Sequence, residues 1–139
     1  MHIAVGGDHA GFELKEHLIL WLQSTGHQVE DLGAHQLDSE DDYPDFARDL
    51  AEHVASGKVK RGIMLCGSGV GASVVVNKMR GVRGSVCHDT YSAHQGVEHD
   101  DMNVLCLGAR IVGEEMAITD ITHKSSRPLD TSPHLLRYR

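Results

Sequence analysis

The sequence holds only three cysteines, Cys66, Cys87 and Cys106. They form no CxxC pair and their number is odd, which argues against a disulfide framework and a structural zinc site and fits a reducing compartment. No apolar run approaches the roughly 20 residues that a membrane span needs. The amino terminus, MHIAVGGDHAGF, lacks the basic segment and following apolar stretch of a secretory leader. A cytoplasmic location is therefore the expectation, and a membrane partner is not expected. Basic residues are also in deficit. Lys and Arg number 13 against 20 Asp and Glu, a formal charge of −7, whereas nucleic-acid binding gains its affinity from cations that neutralise phosphates. The eleven histidines make no HExxH pair and no cluster with ligand spacing in the sequence, so no metal site is expected. No Gly-Lys-Ser/Thr follows the glycine runs, which excludes a P-loop.

What is present is a globular composition, 40% hydrophobic and 24% charged over 139 residues, the size of one domain that can bury a core without staples. The most informative stretch is Gly62 to Ser73, GIMLCGSGVGAS. Ile63, Met64 and Leu65 form a short apolar run between glycines, the pattern of a strand covered on both faces. Cys66 ends that strand. Gly67, Gly69 and Gly71 then alternate with Ser68 and Val70, so the backbone can turn tightly and expose successive N–H groups before a helix predicted over Ala72 to Met79. Such a loop holds an anion, either a phosphate or the oxygen of a reaction intermediate.

The same step recurs along the chain. His2 to Val5 reads as a strand, Gly6 to His9 as a polar turn, and Phe12, Leu14, Leu18 and Leu22 as the apolar side of a helix that Gly26 ends. His27 to Leu32 is a second strand, and Leu37 to Asp42 an acidic loop. Tyr43-Pro44-Asp45 opens a helix with Phe46, Leu50, Ala51 and Val54 on one face and Gly57 as its stop. Val82 to Val86 is a fourth strand, Tyr91 to Glu98 a helix, Val104 to Leu107 a fifth strand and Gly113 to His123 a last helix. Five β-α steps predict an α/β fold with a five-stranded parallel sheet and helices on both faces, because right-handed crossovers place them there. Ligands bind such sheets at the carboxyl ends of the strands. Ser125 to Arg139 carries Pro128 and Pro133, is too short for another layer, and is expected to pack late or on a partner subunit.

Several residues have both a chemical and a bland reading. Gly67, Gly69 and Ala72 fit a dinucleotide fingerprint with Asp89 about 20 residues beyond, but that loop normally follows the first strand and not the third. The loop also reads as a plain strand-to-helix turn. A free cysteine is commonly a small buried hydrophobe, the preferred reading for Cys106, while Cys87 stays undecided. Cys66, beside a helix amino terminus, is placed for a lowered pKa and a role as base or nucleophile. Asp8 and His9 after strand one, and His88 and Asp89 after strand four, are expected at one rim, with turn formation and capping as their structural reading. His99 ends the fourth helix, where it can serve as a cation on the helix dipole. Arg110, Arg137 and Arg139 are candidate phosphate partners that can equally be solvated surface.

Taken together, DHAGFELK at Asp8 to Lys15, DYPDFA at Asp42 to Ala47, CGSGVGAS at Cys66 to Ser73, and RGSVCHDTYSA followed by EHDDMNVLCLGAR resemble the ribose-5-phosphate isomerase B family, which includes the galactose-6-phosphate isomerase subunits. The resemblance spans residues 1 to about 125 in order. It implies a Rossmann-like three-layer α/β/α sandwich over residues 1–139, an aldose-ketose isomerase of sugar phosphates without metal or nucleotide cofactor, and a site shared across a homodimer, which can associate further to a tetramer. By the same resemblance, Cys66 is the base that moves a proton between C1 and C2. Ser68 and the N–H groups of Gly69 to Gly71, in the loop that begins at Gly67, stabilise the enediolate. His99 assists ring opening, Asp8 and His9 hold hydroxyls or phosphate, and Arg110 and Arg137 lie near the phosphate. Two positions depart from the pattern: Asp100 stands where asparagine is usual, and Pro133 where arginine often precedes the second tail arginine. An acceptor-only carboxylate in place of an amide changes what that position binds, so a shorter, differently phosphorylated or non-phosphorylated sugar also enters consideration. A nucleotide- or sugar-binding module of the same fold, or a non-catalytic regulatory subunit, is the alternative.

Overall fold

A computed structural model describes residues 1–122, so the expected tail and Arg137 lie outside the described residues. Five strands, β1 (His2–Gly7), β2 (Gln28–Asp31), β3 (Arg61–Cys66), β4 (Gly84–Val86) and β5 (Val104–Gly108), alternate with five helices. The helices are α1 (Phe12–Ser24), α2 (Tyr43–Ala55), α3 (Val70–Val76), α4 (Thr90–Asp100) and α5 (Glu114–Thr122). All strand pairings are parallel, in the order β2-β1-β3-β5-β4.

The three central strands are apolar on both sides because both sides are covered. Ile3, Val5, Ile63, Leu65, Leu105 and Leu107 pack with Leu18 and Leu22 of α1, Ala93 of α4 and Ala117 of α5. The alternate residues Ala4, Met64, Cys66, Val104 and Cys106 pack with Leu50 and Val54 of α2 and Ala72 and Val76 of α3. One strand pattern of period two therefore supplies both cores. The expected layer order is the observed one.

Element ends differ in places from the sequence pattern. The helix expected to reach Met79 stops at Val76; Asn77 caps it, its side-chain amide donating to the Gly84 carbonyl at 2.7 Å and its Oδ1 accepting the Gly84 N–H at 2.9 Å. That side-chain bridge ties α3 to the start of β4 and shortens both elements, since β4 begins at Gly84 and not at Val82. Pro44 fixes the first turn of α2, and Gly57, with φ of 78°, lies just past its end.

The connections fix where a ligand can sit. From β1 the chain crosses α1 to the left-hand neighbour β2, whereas from β3 it crosses α3 toward β4 on the far side. Between these diverging connections the carboxyl ends of β1 and β3 lie side by side, in register from Ile3 with Arg61 to Gly7 with Leu65. This is the topological switch point of the sheet, where crevices open in folds of this kind.

Candidate active site

Cys66 is the last residue of β3 and is buried, its side chain on the α2/α3 face of the sheet. Its Sγ accepts the Gly69 backbone N–H at 3.1 Å, and its carbonyl accepts from Ala109 at 2.8 Å. The thiol is therefore held by the loop that follows it. Gly69 has φ of +81°, a left-handed conformation that a side chain would strain, and this turn is what aims its N–H back at the sulfur. The Val70 N–H faces Ser68 Oγ at 3.3 Å. Two of the amides expected to face an intermediate thus point at the chain's own thiol and hydroxyl.

Close packing from β5 supports the loop from below. A Cβ on Gly108 would lie 2.6 Å from the Ser68 carbonyl carbon, so only glycine lets the two backbones approach. The Gly108 N–H donates to His88 Nε2 at 2.8 Å, which brings one residue that follows β4 onto the end of β5. Arg110 covers the other side: its backbone N–H donates to the Gly67 carbonyl at 3.2 Å, and its Nη1 would lie 3.6 Å from a Cβ at Gly67.

The end of β1 brings a second group. Asp8 is buried, and its Oδ1 accepts the Ala10 and Gly11 N–H groups at 3.0 and 3.1 Å, a turn-forming role. His9 is bound twice by Asp41 Oδ1, through its backbone N–H at 2.9 Å and its Nδ1 at 2.7 Å. That hydrogen bond, more than the nearby Asp8 charge, raises the His9 pKa above the ordinary histidine value, while partial burial and Arg110 oppose it. Potential ligand atoms of Asp8, His9 and Asp41 lie within 4.8 Å of one another. The fold thus assembles a donor set that the spacing in sequence, 32 residues from His9 to Asp41, conceals.

Asp41 and Tyr43 are the residues that sequence reasoning missed as site components. A Cβ on Gly71 would lie 2.5 Å from Tyr43 Cζ, so the tyrosine ring packs against the loop after Cys66. Asp41 directly precedes the DYPDFA motif and Tyr43 is its second residue; read locally, that motif is a helix start.

His99 and Asp100 are placed elsewhere. They end α4, whose eleven residues run from the carboxyl edge of the sheet toward the opposite edge, a rise of about 16 Å. There the Arg83 Nε donates to the Asp100 carbonyl at 2.9 Å, just before β4 begins. Within one chain, then, His99 does not join Cys66. Asp100 instead lines an open groove of about 760 Å³ along the free edge of β4, together with Arg83, Ser85, Cys87, Tyr91 and Gln95. Cys66 is not among the residues of that groove; the strand ends, and not this groove, carry the chemically equipped site.

At the other two cysteines burial disfavours the thiolate. Burial pushes the Cys106 thiol up to about 12 and raises that of Cys87. All three cysteines are unpaired, and among the described residues no helix is long and apolar enough to cross a membrane.

Comparison with known proteins agrees with this architecture. A family model described as Ribose/Galactose Isomerase matches residues 3–128. The chain is 44% identical to ribose-5-phosphate isomerase B of Escherichia coli over 115 residues, 83% of this chain and 76% of that protein. It is 41% identical to D-erythrulose-4-phosphate isomerase of Pectobacterium atrosepticum over 117 residues, 84% of this chain and 77% of that one. Among solved structures, ribose-5-phosphate isomerase B of Mycoplasma genitalium with bound ribulose 5-phosphate superposes with a TM-score of 0.91 at 33% identity, covering 98% of this chain and 90% of its own. A match across nearly the whole described chain, in sequence and in fold alike, makes this protein a member of the ribose/galactose isomerase family.

Proposed function

We propose that the protein interconverts an aldose phosphate and its ketose through an enediolate, with Cys66 as the base. The thiolate removes the proton from C2 of the open-chain aldose and returns it to C1, while the hydroxyl proton of O2 passes to O1; the reverse sequence runs from the ketose. Such chemistry needs a base beside donors that hold the developing oxyanion. The observation that carries the reading is the thiol itself, fixed at the switch point by the Gly69 N–H at 3.1 Å, with Ser68 in the same loop. Ser68 and the Gly71 N–H are the oxyanion donors of the Gly67 to Gly71 loop, while the Gly69 N–H holds the thiol and the Val70 N–H the Ser68 hydroxyl. Asp8, His9 and Arg110 border the same rim and take the hydroxyls and the phosphate.

A second copy of the chain completes this site. His99 and Asp100 sit at the far edge of their own sheet, so a ring-opening role for His99 beside Cys66 requires the two to come from different subunits. The substrates of this reading are ribose 5-phosphate and its four-carbon counterpart D-erythrulose 4-phosphate, on which proteins 44% and 41% identical are named to act. Unpaired cysteines accord with a reducing, cytoplasmic setting.

Turnover of both sugar phosphates by the natural protein and by Cys66→Ala tests the assignment. Loss of a general base lowers kcat by about 10²- to 10⁴-fold, with sugar-phosphate binding retained by thermal shift. Most of the turnover surviving in the alanine variant would rule Cys66 out as the base, and stabilisation by NAD or ATP alone would favour a nucleotide-binding module.

A further inference from the structure

We infer that Asp41 is a positioning residue, whose carboxylate fixes the His9 ring with Nδ1–H turned inward and leaves Nε2–H, beside Arg110, as a donor to the substrate phosphate. This rests on the reading of the site given above and adds a residue to it.

The geometry is specific. One carboxylate oxygen accepts both the backbone N–H and the ring Nδ1 of the same residue, at 2.9 and 2.7 Å, so the main chain and the side chain of His9 are set by a single partner. Asp41 is 10% exposed and His9 33% exposed: the acid is behind, and the ring is forward. The second Asp41 oxygen is buried and has no hydrogen-bond partner among the described residues, so the carboxylate's bonding is directed at His9. Asp8, the other nearby acid, is turned into its own loop by the Ala10 and Gly11 amides. The charged groups that face His9 are Asp41 and Asp8, which favour its protonated form, and Arg110, which opposes it.

The identity of the third charge decides what such a cluster recognises. A site built for a cation would not place a guanidinium near its histidine, whereas two cations, with Asp41 bonded to one of them and Asp8 turned into its own loop, suit an anion. Bonded to Asp41, the imidazole keeps its charge at pH values where an unassisted histidine has lost it, which preserves phosphate affinity near neutrality.

The test reads His9 directly. Ring resonances of the intact protein are followed against pH by ¹⁵N NMR, with His9 assigned from the signal lost in His9→Gln, in the natural protein, Asp41→Asn and Asp41→Glu. Inorganic phosphate is titrated in parallel. Asp41→Asn is expected to lower the His9 midpoint and, above that midpoint, to weaken phosphate binding and raise KM for the sugar phosphate on the order of tenfold, the scale of one charged hydrogen bond. The change in kcat is expected to be much smaller than that in KM, the difference should vanish at acid pH, and Asp41→Glu should restore part of the effect. An unchanged His9 midpoint in Asp41→Asn, or unchanged phosphate affinity, would overturn the proposal. So would micromolar Zn²⁺ that abolished the His9 titration and stabilised the natural protein alone, since the cluster would then be a metal site. The midpoint and the phosphate affinity decide the matter without turnover, so failure of Asp41 and failure of the isomerase reading are separable.

Discussion

A methyl group at position 108 is the smallest change that should disturb the proposed base. Its carbon would meet the Ser68 backbone at 2.6 Å, and backbone cannot rotate away as a flexible side chain can. Gly108→Ala is expected to cost about 1–3 kcal/mol, the usual scale of overpacking, and to lower kcat because the displaced segment carries both Cys66 and Ser68. Urea unfolding and steady-state kinetics on the one variant check both effects; full activity would mean that the loop does not need its present seat. Asp100 is a different kind of residue, because the effect proposed for it is on choice of substrate. A carboxylate accepts from hydroxyls and repels phosphate, whereas an amide can accept from a hydroxyl through its oxygen or donate to a phosphate through its NH2. Asp100→Asn is therefore expected to change the ranking of four-, five- and six-carbon aldose phosphates by kcat/KM. Ribose 5-phosphate ranking first in the natural protein and again in the variant, with the order below it intact, would show that this carboxylate does not select the sugar.

Helix α4 depends on the cap that begins it. Asp89 accepts the Ser92 N–H at 2.7 Å, and this bond holds its carboxyl below the usual carboxylate range. A depressed value means that the contribution is present above the unfolded carboxylate pKa and is lost as the pH falls through the folded one. Asp89→Ala should lower the melting temperature at pH 7 by a few degrees, with the gap to the natural protein narrowing as the pH falls below the ordinary carboxylate range and through the depressed folded value; a gap independent of pH would place the effect in something other than the charged cap. Asp120, in α5, runs the other way. Burial raises its carboxyl pKa despite the bond from Thr90, so whatever it contributes is lost as the pH rises. At this scale much of the architecture is legible in the sequence, because Ile63 to Leu65 and Val104 to Leu107 report burial on both faces by being apolar without interruption. The shortened α3 is not legible, since its end is set by Asn77 reaching Gly84 and not by local propensity. Nor are the Asp41–His9 bond and the Tyr43 contact with Gly71: each joins residues about thirty apart, and only the β1–α1–β2 and α2–β3 crossovers bring them to one rim.

The chain as a whole is expected to be a homodimer, and the argument comes from what one copy separates. Cys66 ends β3 at the carboxyl edge of the sheet, while His99 ends α4 after that helix has run toward the amino edge. No small rearrangement closes that distance, because α4 is anchored at both ends, by the Asp89 cap and by Arg83 on the Asp100 carbonyl. If both residues serve one reaction, a two-fold axis must pair the Cys66 end of one protomer with the His99 end of its partner and so create two equivalent sites. Sedimentation should then give about twice the 15.2 kDa of the chain. A mixing experiment is more demanding. Cys66→Ala and His99→Asn are each expected to be nearly inactive alone, yet a mixed dimer contains one site whose Cys66 and His99 are both intact. Equal amounts, dissociated and reassociated at random, should recover about a quarter of the natural activity, since half the dimers are mixed and one of the two sites in each is whole. Recovery near that level requires a shared site. Two inactive variants that stay inactive after verified subunit exchange would place both residues' roles within single chains, and the geometry of α4 would then exclude His99 from the chemistry at Cys66.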